Sequence, residues 1–472
     1  TVTWRCQRLP LGYMTLDEFC TGQREEHVRW LERYLRIPSI SSDPDHATEV
    51  RRCAEWTVAE MTRIGLHNGQ LLETGGHPAA YAEWLGAPGA PTVLIYGHCD
   101  VQPVDPLDLW DSPPFEPAVR EGNLFARGAV DDKGQVLMHL AAIDALLHTA
   151  GRLPVNVKLL IEAEEEIGSP NLDACLQREQ RRLTADVAVI SDTPMYGPGI
   201  PSLCYGLRGL AYFQIDLRGP NADLHSGGFG GAVDNPCNVL AHLIARLKND
   251  AGRVLIPGFY DTVRPLSSRE REELGKLPFD EPTYRAAIGV EALTGEAEFT
   301  VLERLWARPT LDVNGLWGGF QGTGSKTIIP AEAHAKVSCR LVPDQEPENI
   351  AELFERYLRQ IAPPTVQLTI QRLHGGRPSI TPIDHPATLA ATRALKRAFG
   401  KEVVFMREGG SIPVVATFDS LLHLPTILLG VGLPDEHAHA PNERLNLDNF
   451  YRGILAAAYL WQELAAPGGL RP

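Results

Sequence analysis

Three short runs constrain this chain more than any other feature. "PTVLIYGHCD" at 91–100, "NVKLLIEAEEE" at 156–166 and "DVAVISD" at 186–192 are each mostly apolar and then break into His, Asp or Glu. Each run is too short for a helix, and none alternates polar with apolar as a half-wet strand does. They therefore read as strands buried on both faces, which need helices above and below. Amphipathic stretches at 16–36 and 48–65 and the long "KGQVLMHLAAIDALLHTA" at 133–150 supply such helices, and a fourth apolar run, "PTILLGVG", follows at 425–432. The expected core is an α/β mixed sheet flanked by helices.

Near Gly206 the pattern changes. "GLAYFQIDLRG" alternates like a half-exposed strand, "NPCNVLAHLIARLKN" is helical, "PTLDVNGLWGG" and "AHAKVSCRLVP" are strands, "PENIAELFERYLRQI" is a helix and "TVQLTIQRL" a strand. That order predicts an inserted α+β, ferredoxin-like β-α-β-β-α-β module. It is interrupted by a charged, helical insertion at about 257–308. After about residue 376 the first pattern resumes, closing on the amphipathic "NLDNFYRGILAAAYLWQELA". With 472 residues, too many for one core, the chain is expected to comprise an N-terminal extension (1–13), a discontinuous first domain (14–205 and 376–472) and an inserted second domain (206–375).

Composition excludes several classes of function. A formal charge of −15 without a basic stripe argues against nucleic-acid binding. No tract of about 18 or more apolar residues is present, which argues against a membrane span. The eight cysteines are scattered without a C-x-x-C pair, as free thiols in a reducing compartment are. The opening "TVTWRCQRLPLGY" lacks the apolar core of a secretory signal, so the expected location is the cytoplasm.

In an open α/β sheet the binding crevice lies beyond the carboxyl ends of the strands. His98 and Asp100, the glutamates of "EAEEE" and Asp192 all stand at such ends, while "FARGAVDDKGQ" and "PDEHAHAPNE" add Asp131, Asp132, His437 and His439. A single His or Asp at a strand end is ordinarily a turn former or a cap. Several converging together suit a catalytic site for Zn²⁺, Mn²⁺ or Co²⁺, because histidines with carboxylates and no thiolate are not the ligands of a structural zinc. More carboxylates than one ion needs suggests two ions.

The set "YGHCDVQP", "ARGAVDDKG", "EAEEEIGS", "ISD", "DLHSGGFGG", "GTGSKTIIP", "CRLVPD", "REGGSIP" and "HAHAPNE" resembles the M20 metallopeptidases, and within them the carnosinase and cytosolic nonspecific dipeptidase group. The resemblance implies a zinc-exopeptidase-like catalytic domain with two divalent metal ions, Zn²⁺ foremost. Asp131 would bridge them, His98 and Asp192 would complete one ion, and Glu166 and His439 the other. Asp100 would orient His98 through the imidazole's other N–H, and Glu165 would be the general base. From the inserted lid and dimerisation domain, His225 would steady the oxyanion, donated across a homodimer. Arg340 would pair with the free carboxylate of a small peptide substrate, with Thr327 and Ser411 adding hydrogen bonds.

Neighbouring residues read more blandly. Alternation turns Cys99 away into the core. Motif spacing favours Asp131 over Asp132 and His439 over His437. Lys133 reads as support for a helix start or a carboxylate rather than as a catalytic group, and Glu162 and Glu164 as supporting or solvated residues. Alanines at 126 and 163, where the family often has glycine, are expected to cost only small backbone adjustments unless φ > 0 is required. The expected activity is hydrolysis of dipeptides or short peptides with a free C-terminus. An N-acyl amino acid deacylase of the same superfamily is the alternative, and a non-catalytic scaffold a remote one.

Overall fold

The structure is a computed structural model that describes residues 14–410 and 412–470. The chain divides into two compact units, one of Thr1–Tyr205, Thr381–Met406 and Thr417–Pro472, the other of Gly206–Ile380 and Arg407–Ala416.

The first unit is built on a mixed sheet. Its strands run in the order His67–Leu72, Ala79–Trp84, Asn156–Glu162, Thr92–His98, Val187–Ile190, Thr426–Leu428, Ser202–Leu207. Thr92–His98 lies parallel to both Asn156–Glu162 and Val187–Ile190, with His98 opposite Glu162. Both central strands are buried from their second residue to their last, as their mostly apolar runs require. Helices cover the sheet. Lys133–Ala150 is buried along most of its length and ends at Gly151, whose φ of 68° only glycine adopts without strain. It packs against Leu447–Ala465, which in turn holds Pro386–Phe399.

Three details differ from the sequence reading. The helix expected over 16–36 is two helices, Leu16–Gly22 and Arg24–Leu35, because the first turn is fixed by a Thr15 and Glu18 capping box while Gln23 departs from helical geometry next to Gly22. The edge strand His67–Leu72 and its neighbour Ala79–Trp84 carry no long apolar run, and the outer one is mostly exposed, so periodicity gives them no signal. A small sheet of Ala118–Arg120, Asn123–Phe125 and Arg444–Asn446 also went unforeseen, since it joins segments far apart in sequence.

The second unit holds a four-stranded antiparallel sheet in the order Thr310–Gly318, Glu332–Leu341, Gly209–Arg218, Gln367–Gly376. With the helices Pro236–Ala245 and Pro347–Ile361 this is the expected β-α-β-β-α-β arrangement. Gly209–Arg218 alternates buried and half-buried residues, and its Phe213 stacks on Phe354 with ring centroids 4.2 Å apart. Burying a phenylalanine of this kind contributes about 2–3 kcal/mol. The segment 257–308 forms the short helices Ser268–Gly275, Glu281–Ile288 and Val301–Trp306, each begun by a side-chain cap. Among the described residues no helix is long and apolar enough to cross a membrane.

Candidate metal centre

Parallel strands in register bring their carboxyl ends to one edge. His98 ends one strand, the turn Glu165–Ile167 follows the next after Glu162, and Asp192 follows the third by two residues. Asp131 comes from the loop entering the Lys133–Ala150 helix, across a cis Asp131–Asp132 peptide. His439 comes from a late loop in which His437, His439 and Asn442 all adopt positive φ, at 60°, 64° and 60°.

These side chains meet. His98 Nε2 lies 3.1 Å from Asp131 Oδ1 and 3.9 Å from Asp192 Oδ2. His439 Nε2 lies 2.9 Å from Asp131 Oδ2 and 3.3 Å from Glu166 Oε2. One carboxylate thus faces both histidines, one through each oxygen. Ligand atoms of His98, Asp131 and Glu166 all fall within 4.8 Å of one another.

Asp100 organises the edge. His98 Nδ1 faces the Asp100 backbone oxygen at 3.1 Å and its Oδ1 at 3.4 Å. The same carboxylate accepts the backbone N–H groups of Glu165 (3.3 Å) and Glu166 (3.1 Å). It therefore orients the imidazole and the glutamate turn together. With Nδ1–H committed to Asp100, the lone pair of Nε2 points at two carboxylates, and only a proton or a cation between them makes that contact favourable.

The electrostatics point the same way. Burial pushes His98 down, but hydrogen bonds to Asp100 and Asp131 outweigh it and hold the ring well above the usual histidine value. Hydrogen bonds to Asp131 and Glu166 raise His439 to about 10. Burial pushes Asp131 up, yet bonds from His439 and His98 prevail and keep it below the ordinary carboxylate range. Asp192 is driven well above that range, first by burial and then by Asp131. Glu165 is raised to about 7, mainly by burial, with His98 opposing and Glu166, Asp131 and Asp100 adding to the rise. Even with both histidines protonated the group is too acidic for its degree of burial, so its donor set fits divalent cations.

Of the two roles the sequence leaves open for the remaining glutamates of "EAEEE", supporting or solvated, the structure selects the first. Glu162 is buried and accepts from the Tyr96 hydroxyl and from Ser169 Oγ (2.9 Å). Glu164 is buried and accepts from His77 N (2.9 Å) and Asn171 Nδ2 (3.0 Å). Both support the turn. Asp132 accepts from His98 N (3.2 Å) and so pins the histidine's backbone. Lys133 is buried and donates to Ile37 O (2.7 Å), Cys99 is a buried free thiol, and His437 is exposed. Ala126 and Ala163 are buried and not among the described residues with positive φ.

Two supporting residues escaped the sequence reading. Gln102 donates to Glu166 Oε2 (2.7 Å), and Glu443, of the quoted "HAHAPNE", accepts from the Asp131 backbone N–H (3.1 Å). The spacing of Gln102 to His98 and the motif membership of Glu443 were the available signals.

In the second unit, His225 stands on a two-stranded ladder opposite Ile328, and Ser226 N donates to Thr327 O (3.1 Å), so His225 and Thr327 are neighbours. The Nδ1 of His225 accepts from Gly228 N (3.1 Å). Arg340 stands on the four-stranded sheet between Thr310 and Leu210. Ser411 lies outside the described residues, as does the N-terminal extension 1–13.

Residues 94–463 match peptidase family M20/M25/M40. The chain is 35% identical to the Cys-Gly metallodipeptidase dug1 of Schizosaccharomyces pombe over 96% of this chain and 99% of the relative. It is 33% identical to human Beta-Ala-His dipeptidase over 94% of this chain and 90% of the relative. Among solved structures, an M20 family metallo-carboxypeptidase from Sulfolobus solfataricus superposes with a TM-score of 0.81 at 34% identity, covering 93% of this chain and 99% of the other. Human carnosine dipeptidase 1 superposes with a TM-score of 0.77 at 31% identity, covering 95% and 98%.

Proposed function

The chain belongs to peptidase family M20/M25/M40, and we propose that it hydrolyses the peptide bond of dipeptides and short peptides bearing a free C-terminal carboxylate. The observation that carries this reading is the convergence of His98, Asp131 and Glu166 within 4.8 Å beside Glu165. Asp131 would be shared by two divalent ions, one held with His98 and Asp192 and the other with Glu166 and His439. Zn²⁺ is the favoured metal, with Mn²⁺ or Co²⁺ able to serve the same ligands. When bound, such ions supply Lewis acidity and lower the pKa of water.

The chain's own residues do the rest. Asp100 fixes the His98 tautomer and presents the Glu165–Glu166 turn. Glu165 accepts a proton from the attacking water at its carboxylate and returns it to the departing amine nitrogen. Burial keeps its basicity high, with a pKa raised to about 7 that nearby cations would lower. Arg340 holds the substrate carboxylate through a planar, two-pronged contact. Thr327 and Ser411 add hydrogen bonds, and His225 steadies the developing oxyanion from a partner subunit of a homodimer. The 206–375 segment serves as the lid and dimerisation domain, and the scattered cysteines, without a C-x-x-C pair, support a cytoplasmic setting.

The test is a cleavage panel on protein reconstituted separately with Zn²⁺, Mn²⁺ and Co²⁺. Dipeptides, N-acetyl and N-succinyl amino acids are offered in parallel and the products read by mass spectrometry. Cleavage of dipeptides alone supports the proposal, whereas turnover confined to N-acyl amino acids would reassign the chain as a deacylase.

A further inference from the structure

We infer that Glu443 is a positioning residue that holds Asp131 in its bridging place before any cation binds, by tying the 126–131 loop to the segment that carries His439. The inference rests on the assignment of Asp131 and His439 proposed above.

The side chain of Glu443 is fully buried. Its Oε2 accepts from Arg127 Nη1 (2.8 Å) and Gly128 N (2.9 Å), and its Oε1 from Val130 N (3.0 Å) and Asp131 N (3.1 Å). Both oxygens are thus doubly occupied, three of the four donors are backbone groups, and the last belongs to the proposed bridge itself. The backbone oxygen of Glu443 accepts a further bond from Ala126 N (3.1 Å).

The topology explains why a carboxylate is needed. Arg444–Asn446 pairs with Asn123–Phe125, and the ladder stops at Arg444 opposite Phe125. Beyond that point the 126–131 loop turns toward the helix at Lys133 and has no strand to satisfy its N–H groups. Glu443, the residue just past the end of the ladder, supplies acceptors in place of a strand. Four positions earlier on the same segment is His439, 2.9 Å from Asp131 Oδ2. A single buried side chain therefore sets the distance between two proposed ligands that are remote in sequence.

A glutamine of the same size cannot replace it. Its one oxygen serves at most one of the two donor pairs, and its NH₂ group would face the other pair, donor against donor, in either flip. The Asp131 backbone is then released, or else the Arg127 and Gly128 end of the loop is.

The experiment is a competition titration with Zn²⁺ against a chromophoric chelator, using metal-stripped full-length wild type, Glu443→Gln and Asp131→Asn. Residues that orient metal ligands typically change affinity about 10- to 100-fold. Glu443→Gln is therefore expected to bind Zn²⁺ at least about tenfold more weakly, with a correspondingly smaller Zn²⁺-induced rise in melting temperature. Wild-type affinity in Glu443→Gln, with affinity lost in Asp131→Asn, would overturn the inference and leave the ligand assignment standing. Wild-type affinity in both would overturn the assignment itself. If Glu443→Gln does not fold, amide hydrogen exchange on metal-stripped wild type decides. The inference requires the N–H groups of Gly128, Val130 and Asp131 to stay protected without metal, and rapid exchange there would refute it.

Discussion

Replacing Glu165 by glutamine separates proton transfer from metal binding. Glutamine keeps the size of the side chain, and the anchor of this residue to Asp100 runs through its backbone N–H, at 3.3 Å. The turn that presents Glu166 is therefore undisturbed. Removing the charge also relieves crowding, since Glu166, Asp131 and Asp100 all push the Glu165 carboxyl up. Metal content should accordingly remain that of wild type. What disappears is the group that accepts and returns the proton, a contribution of about 10²–10⁴ in rate, or about 3–5.5 kcal/mol at 1.36 kcal/mol per decade. The assay is steady-state hydrolysis of a dipeptide by Zn²⁺-loaded enzyme, with metal quantified on the same sample. The expected result is a kcat at least about 100-fold lower, with little change in KM. Activity within tenfold of wild type, or loss of metal alongside activity, would refute the assigned role.

Further outcomes follow from the same geometry. Glu166→Gln should lower bound metal per chain, because Glu166 Oε2 faces His439 Nε2 at 3.3 Å across the proposed site; the measurement is metal content after dialysis. Arg340→Met should raise KM for free-carboxylate dipeptides by about 10- to 100-fold, the loss of one charge-assisted hydrogen-bonded contact, and leave C-terminally amidated peptides unaffected. The acid limb of kcat/KM should lie below 7. Glu165 must be deprotonated to act, so activity falls as pH drops through its pKa. That pKa is about 7, raised chiefly by burial, without cations, and bound cations lower it; a limb above 7 on the loaded enzyme would contradict this.

Much of the candidate site was legible because two kinds of local information coincide in it. Apolar runs buried on both faces announced the central strands, and strand ends in a parallel sheet must share an edge, so His98, the glutamate cluster and Asp192 were bound to approach one another. The second unit was legible for a related reason: Gly209–Arg218 and Glu332–Leu341 alternate buried with half-buried or exposed residues, which registers as a period of two. The polar edge strand at His67–Leu72 was illegible because an exposed edge needs no apolar side chains, and the break at Gln23 because Gly22 weakens a helix without ending it on its own.

The division of labour within "EAEEE" shows where local information stops. Sequence alone determined that a run of glutamates follows a buried strand, with residue types suited to cations and proton transfer. Tertiary structure decided that Glu162 would be taken by Tyr96 and Ser169, Glu164 by His77 and Asn171, and that Glu166 would face His439. It also made Glu443 the holder of an aspartate 312 positions earlier. The physical reason is common to all of these. A carboxylate's role depends on which donors and charges surround it once buried, and those arrive from segments distant along the chain. Hydrophobic periodicity, by contrast, is set by each segment's own geometry, and the fold class follows from that alone.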